Sequence, residues 1–280
     1  RFGQKIYDYN DANPTPPNQL ITGIRGDELN AINNSQVAVA TGDFNGDGKR
    51  DFISSYVNTQ NKVRMVIPEI NSQTFGWSQV NDLISQETIN TSNEYFKRMR
   101  LVKGNFDSDI DEEIVLAYID NTNKLRLELY DTDGTLIPAY RGGIADETIE
   151  SSLLKFNITV NDFNEDGIDE IMIAGVDPTG GGGSNWGIFA KVYQVIGSNP
   201  FTLVPKARQI IFTKPQQYNV PNLNLGLTSG DFNDDIIPDG AISFSFLIQN
   251  IGENDSYLYL LEISSNLNNI IFNDTRKVVR

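Results

Sequence analysis

Apolar residues in this chain fall in short alternating runs, not at the three-to-four-residue spacing of a helix. Lys124 to Tyr130 alternates through Leu125, Leu127 and Leu129 directly after the turn residues Asn121-Thr122-Asn123, which predicts a strand with one buried face. Val37 to Ala40, Asp51 to Val57 and Lys62 to Ile67 are equally short, rich in β-branched residues and bounded by turn formers. The pattern predicts an all-β chain of strands joined by tight turns. Its 280 residues are enough to bury a core without staples.

One motif recurs four times between such runs. The copies are Asp43-Phe44-Asn45-Gly46-Asp47-Gly48-Lys49-Arg50-Asp51, Asn105-Phe106-Asp107-Ser108-Asp109-Ile110-Asp111-Glu112-Glu113, Asp162-Phe163-Asn164-Glu165-Asp166-Gly167-Ile168-Asp169-Glu170 and Asp231-Phe232-Asn233-Asp234-Asp235-Ile236-Ile237-Pro238-Asp239. Numbered from the residue before the Phe, each loop has Asp or Asn at positions 1, 3 and 5 and a carboxylate at position 9. The four loops begin 62, 57 and 69 residues apart.

Charge changes the reading of these loops. The chain carries 37 Asp and Glu against 22 Lys and Arg, a formal charge of -15. Seventeen of those acids, with only Lys49 and Arg50 to offset them, lie in the four loops, so the rest of the chain sums to zero. Such local crowding demands a local cation. The acidic balance also argues against nucleic acid or an anionic lipid surface as partner, and no apolar run is long enough to enter a bilayer. With no His and no Cys, Ser-His-Asp and Cys-His nucleophiles, disulfides and ordinary zinc sites are excluded. Any metal must be held by oxygen.

Oxygen donors at alternate positions, with a backbone carbonyl at position 7, match the many-oxygen coordination of Ca²⁺, whereas Mg²⁺ keeps more of its water. The reading is up to four calcium loops; the plainer alternative is a set of polar Asp/Asn/Gly turns. Ile110 and Ile236 replace the Gly favoured at position 6, so those two loops are expected to be weaker or differently shaped. An EF-hand is excluded. Its bidentate Glu at position 12 is here Ser54, Leu116, Ile173 and Ile242, and the flanks are strands.

The Asp-Phe-Asn-x-Asp-Gly loop, clearest at Asp43 to Asp51 and Asp162 to Glu170, resembles the FG-GAP or VCBS-type repeats of integrin α-subunit β-propellers and their bacterial relatives. The resemblance covers about residues 35 to 280. It implies four-stranded antiparallel blades with the loop between the first two strands: 35–96, 97–153, 154–222 and 223–280, with 1–34 a leader or the outer strands of a preceding blade. It also implies Ca²⁺ ligands at Asp43, Asn45, Asp47, Lys49 (carbonyl) and Asp51, and at the matching Asn105, Asp107, Asp109, Asp111 and Glu113. In the last two loops they are Asp162, Asn164, Asp166, Ile168 and Glu170, then Asp231, Asn233, Asp235, Ile237 and Asp239. Family propellers have about seven blades, so four suggest part of a longer ring.

In such blades the calcium loops share one face, and the family's partners dock on the other. There the sequence places long connections at Asn81 to Phe96, Arg141 to Ser152 and Lys206 to Asn222, and a hairpin at Asp177 to Asn185 whose Gly180 to Gly183 reads as a flexible turn or a ligand-clasping loop. Phe44, Phe106, Phe163 and Phe232 read as wedges between blades. Acids outside the loops, such as Glu69, Asp131, Asp133, Glu147 and Glu150, read as solvated surface. Arg25-Gly26-Asp27 is a tripeptide that integrins recognise and also holds an ordinary turn pair. Five Asn-x-Ser/Thr sequons, at Asn33, Asn90, Asn157, Asn254 and Asn273, are what an Asn-rich chain produces by chance. Weak extracellular calcium sites fill outside cells and not in resting cytosol, so the expectation is a secreted, non-catalytic recognition or adhesion module for a protein or carbohydrate. The alternatives are a propeller domain of a secreted carbohydrate-active enzyme and the shell of a toxin or other multidomain protein.

Overall fold

The computed structural model describes residues 3–8, 19–25, 37–71, 76–89, 99–132, 134–146, 155–177, 185–215, 223–248 and 253–277. Strands β1 (Gly3–Asp8) and β2 (Gln19–Arg25) form a hairpin. Four four-stranded sheets follow. They are β3 (Ala38–Gly42), β4 (Asp51–Val57), β5 (Lys62–Asn71) and β6 (Gly76–Thr88), then β7 (Arg100–Gly104), β8 (Glu113–Ile119), β9 (Leu125–Asp131) and β10 (Ala139–Asp146). The last two are β11 (Phe156–Asn161), β12 (Glu170–Asp177), β13 (Asn185–Ile196) and β14 (Thr202–Pro215), then β15 (Asn224–Gly230), β16 (Asp239–Ile248), β17 (Glu253–Ile263) and β18 (Ile270–Lys277).

Within each sheet the strands pair antiparallel in chain order. The first strands stand side by side, β3 against β7, β7 against β11 and β11 against β15. These are the blades of a β-propeller, and each acidic loop joins a first strand to a second. Register is conserved from blade to blade: Gly42 pairs with Asp51, Gly104 with Glu113, Asn161 with Glu170 and Gly230 with Asp239. The residue before loop position 1 therefore always faces position 9.

Sheets buried on both faces need strands that are apolar throughout, and β8, Glu-Ile-Val-Leu-Ala-Tyr-Ile, is buried at every residue. Its two faces serve two different cores. Ile114, Leu116 and Tyr118 pack with Ile53, Val57 and Met65 of the first blade, while Val115, Ala117 and Ile119 pack with Phe156, Ile171 and Phe189 of the third. A third core joins Met172, Trp186 and Ile188 to Ile242, Tyr259 and Leu261.

Phe44, Phe106 and Phe163 are buried in these inter-blade cores, each facing the blade that follows. Phe232, expected to wedge likewise, is 44% exposed, because no described strand packs beyond its blade. The stretches read as long connections also need correction: β6 runs to Thr88, β10 to Asp146 and β14 to Pro215. Outer strands bury one face at most and mix polar with apolar residues, so they read as loop. Gly142 in β10 has a specific cause, since a Cβ there would lie 2.1 Å from the Phe201 carbonyl oxygen. Residues 90–98, 147–154, 178–184 and 216–222, with Gly26 and Asp27, lie outside the described residues. Asn157 of the third sequon is engaged in β11, accepting from Arg100 Nε at 2.6 Å and donating to the Leu225 carbonyl at 3.3 Å.

Candidate metal centre

One contact closes all four loops: the position-2 Phe amide donates to the position-9 carboxylate. Phe44 reaches Asp51 at 3.3 Å, Phe106 Glu113 at 2.5 Å, Phe163 Glu170 at 3.0 Å and Phe232 Asp239 at 3.3 Å. In the first loop the Asp47 and Gly48 amides donate to Asp43, at 3.0 and 2.8 Å, and the Lys49 amide donates to Asp47 at 2.9 Å. The third repeats this with Asp166 and Gly167 on Asp162, at 3.1 and 2.8 Å, and Ile168 on Asp166 at 2.9 Å. The fourth keeps Ile236 on Asp231 at 3.0 Å and Ile237 on Asp235 at 2.9 Å.

These three loops turn through left-handed residues at positions 4 and 6: Gly46 and Gly48, Glu165 and Gly167, Asp234 and Ile236. Ile236 sits at φ 81°, a conformation that a β-branched residue adopts only under strain. The second loop takes another shape, with neither Ser108 nor Ile110 left-handed. Ile110 instead lies over Gly46 of the preceding loop, where a Cβ would come within 2.6 Å of it.

That altered loop gathers its carboxylates. Oxygens of Asp107, Asp109 and Glu113 lie within 4.8 Å of one another. Glu113 is fully buried, and its Oε1 has no hydrogen-bond partner; nor has the buried Oδ1 of Asn105 at position 1. A buried carboxylate oxygen left unmatched is costly unless a cation or water satisfies it, so positions 1, 3, 5 and 9 here fit an oxygen-ligated ion. The loop that departs most from the pattern thus presents the most open donor set. The reason is local: where position 6 is left-handed, it points its amide at the position-1 carboxylate and occupies it.

The electrostatics show the same crowding. Burial, with the charges of Asp107, Asp109 and Asp131 adding, pushes the Glu113 carboxyl up to about 9. Burial and the charges of Asp166, Asp162 and Asp169 push Glu170 up to about 8. Asp51 rises to about 6 by burial, with Asp47 and Asp43 adding. Asp239 is raised mainly by burial. In all four loops the position-9 carboxyl is raised, above neutrality at Glu113 and Glu170, and a divalent cation is well matched to such crowded carboxylates.

Position 8 carries a device that motif reading missed. Glu112 accepts the Asp43 amide of the preceding loop at 2.7 Å, and its own amide donates to the Asp43 carbonyl at 2.9 Å. Asp169 does the same to Asn105, at 2.8 Å in both directions. Position 8 of one loop thus clamps position 1 of the loop before it. Arg50 at 3.0 Å and Lys103 add ion pairs to Glu112. The next clamp is missing because Pro238 has neither an amide hydrogen nor a carboxylate, and the Asp162 amide donates to Asn161 Oδ1 instead. The signal was the acid pair at 112–113 and 169–170, of which only the second member was used.

Asp131 was also misread. It is 4% exposed at the end of β9, paired with Arg141 at 3.1 Å, and its carboxylate lies within 4.8 Å of Asp109 and Asp111.

No family model and no curated protein matches the chain. Among solved structures it is similar to the Aleuria aurantia lectin, a fungal lectin described as a six-bladed β-propeller with a novel fucose recognition mode. Identity is 11%, over 89% of this chain and 80% of that one, with a TM-score of 0.35. It is also similar to AofleA from Arthrobotrys oligospora, at 11% identity over 95% of this chain and 78% of that one, TM-score 0.40. The chain is a β-propeller. That rests on strand order and blade-to-blade register, not on likenesses this distant, and the resemblance to FG-GAP repeats rests on the loop residues alone.

Proposed function

We propose that this chain is an extracellular recognition module whose blades are stiffened by Ca²⁺ in the loops between first and second strands. Side-chain oxygens at positions 1, 3, 5 and 9, with the carbonyls of Lys49, Asp111, Ile168 and Ile237, would hold the ions. Bound Ca²⁺ supplies positive charge, which cancels repulsion between loop carboxylates and ties each first strand to its second. The observation that carries the reading is the buried, partnerless Oε1 of Glu113, a carboxylate grouped with Asp107 and Asp109, in a chain whose whole net charge lies in four such loops. Sites of the extracellular class, with Kd of roughly 10⁻⁴ to 10⁻³ M, fill outside cells and not in resting cytosol, which supports an extracellular reading. A protein or carbohydrate partner binds on the face opposite the loops.

The test is calorimetric titration of the chain with Ca²⁺ and, separately, with Mg²⁺. Saturable heats with Ca²⁺ and weaker ones with Mg²⁺ are expected. No Ca²⁺ heat at millimolar concentration would reduce the loops to ordinary Asp/Asn turns and remove the ground for an extracellular assignment.

A further inference from the structure

We infer that Asp169, on the third blade, is a positioning residue for the cation of the second loop, because it holds the position-1 donor Asn105 in place from across the blade boundary. The inference rests on the calcium reading of that loop, where Glu113 is fully buried with Oε1 unmatched and the buried Oδ1 of Asn105 is unmatched as well.

The other three loops orient their own position-1 side chains. Asp43 accepts the Asp47 amide at 3.0 Å and the Gly48 amide at 2.8 Å. Asp162 accepts from Asp166 and Gly167 at 3.1 and 2.8 Å, and Asp231 accepts from Ile236 at 3.0 Å. The second loop lacks this device. Ile110 at position 6 is not left-handed, and Asn105 Oδ1 receives no hydrogen bond. Where that oxygen points is therefore set by the backbone that carries it.

The backbone is held by Asp169, 64 residues further along the chain. Asp169 Oδ2 accepts the Asn105 amide at 2.8 Å, and the Asp169 amide donates to the Asn105 carbonyl at 2.8 Å. The first of these bonds is charge-assisted and so the stronger. On either side of Asn105 the chain is tied to Glu113, by the strand pairing of Gly104 and by the Phe106 amide on Glu113 Oε2 at 2.5 Å. Asp169 thus sets one donor of the loop relative to another without touching an ion itself. Loss of a group that orients a metal ligand typically weakens metal binding about 10–100-fold.

Hydrogen exchange of the full chain, read by mass spectrometry against Ca²⁺ concentration, follows each loop separately. Segment 99–119 reports the second loop, and segment 223–248 reports the fourth, whose position 1 is held by its own loop. Asp169→Ala should raise the Ca²⁺ midpoint for protection of 99–119 by about tenfold and leave that of 223–248 unchanged. Asp169→Asn keeps a neutral acceptor and should raise it less. Asn105→Ala should also weaken the second loop, and adding Asp169→Ala to it should shift the midpoint no further, because Asp169 acts through Asn105. An equal shift in both backgrounds, as expected if Asp169 acted through the adjacent Glu170 or through stability alone, overturns the inference, and so does an unchanged midpoint in Asp169→Ala. Should Asp169→Ala not fold, Asp169→Asn carries the same comparison. If no loop of the unaltered chain gains protection with Ca²⁺, the calcium reading fails and the inference fails with it.

Discussion

Removing the Glu112 side chain should uncouple the first two blades at their loop ends. Glu112→Ala deletes a charged acceptor from the Asp43 amide at 2.7 Å, on a side chain 21% exposed, and leaves the reciprocal bond from its own amide to the Asp43 carbonyl in place. A hydrogen bond to a charged group contributes about 1.5–3 kcal/mol. The Arg50 and Lys103 pairs together add at most about 1 kcal/mol, because the guanidinium is 65% and the lysine 35% exposed and both are screened by solvent. The loss is therefore about 2–3 kcal/mol, or roughly 4–10 °C in Tm for a chain of this size. Glu112→Gln keeps a neutral acceptor and should lose less than half as much. Thermal melts followed by circular dichroism, in chelator so that metal does not mask the effect, measure the difference. A shift for Glu112→Ala no larger than the ~0.5 kcal/mol of an ordinary surface substitution would refute the clamp.

Three further outcomes follow from the same geometry. Phe106→Ala, at a ring buried between blades, should cost about 3–5 kcal/mol, while Phe232→Ala, at a ring 44% exposed, should cost under about 1 kcal/mol in the same melts. Ile236→Gly should raise stability by about 1 kcal/mol by relieving a left-handed β-branched residue, and Ile110→Gly should not, because Ile110 is not left-handed and packs on Gly46. Without metal, stability should fall as pH rises from about 4.5 toward 8 to 9. Glu113 and Glu170 hold their protons to about 9 and 8 when folded but titrate near 4.5 when unfolded, so the folded state binds more protons across that window. Melts in chelator across this range should show the decline and melts in Ca²⁺ should not; a flat profile in both would mean that burial and the neighbouring acids do not raise these carboxyls.

Much of this architecture was legible because two signals coincide. Period-two runs such as Leu125 to Tyr130 mark the strands, and the four-fold loop repeat fixes which strands are first and second in each blade. The outer strands were not legible, since Arg141-Gly142-Gly143 and Lys206 to Pro215 carry no strong alternation and are set by pairing with a third strand already in place. In the loops, positions 1, 3, 5 and 9 follow from ligand chemistry, but the clamp by Glu112 and Asp169 depends on a neighbouring blade, which no single loop encodes. Asp131 was missed for the same reason: it lies 18 residues beyond Glu113, and only the sheet brings it to Asp109. Ile110 marks a change of shape, and in that loop the position-1 side-chain oxygen of Asn105 is left without the position-6 amide that occupies it elsewhere.

The most direct measurement is an anomalous difference map from crystals of this chain grown in Ca²⁺. The account predicts peaks in the loops, each about 2.3–2.6 Å from carboxylate oxygens, with the second loop occupied between Asp107, Asp109 and Glu113. A map at full protein occupancy with no peak in any of the four loops would contradict it.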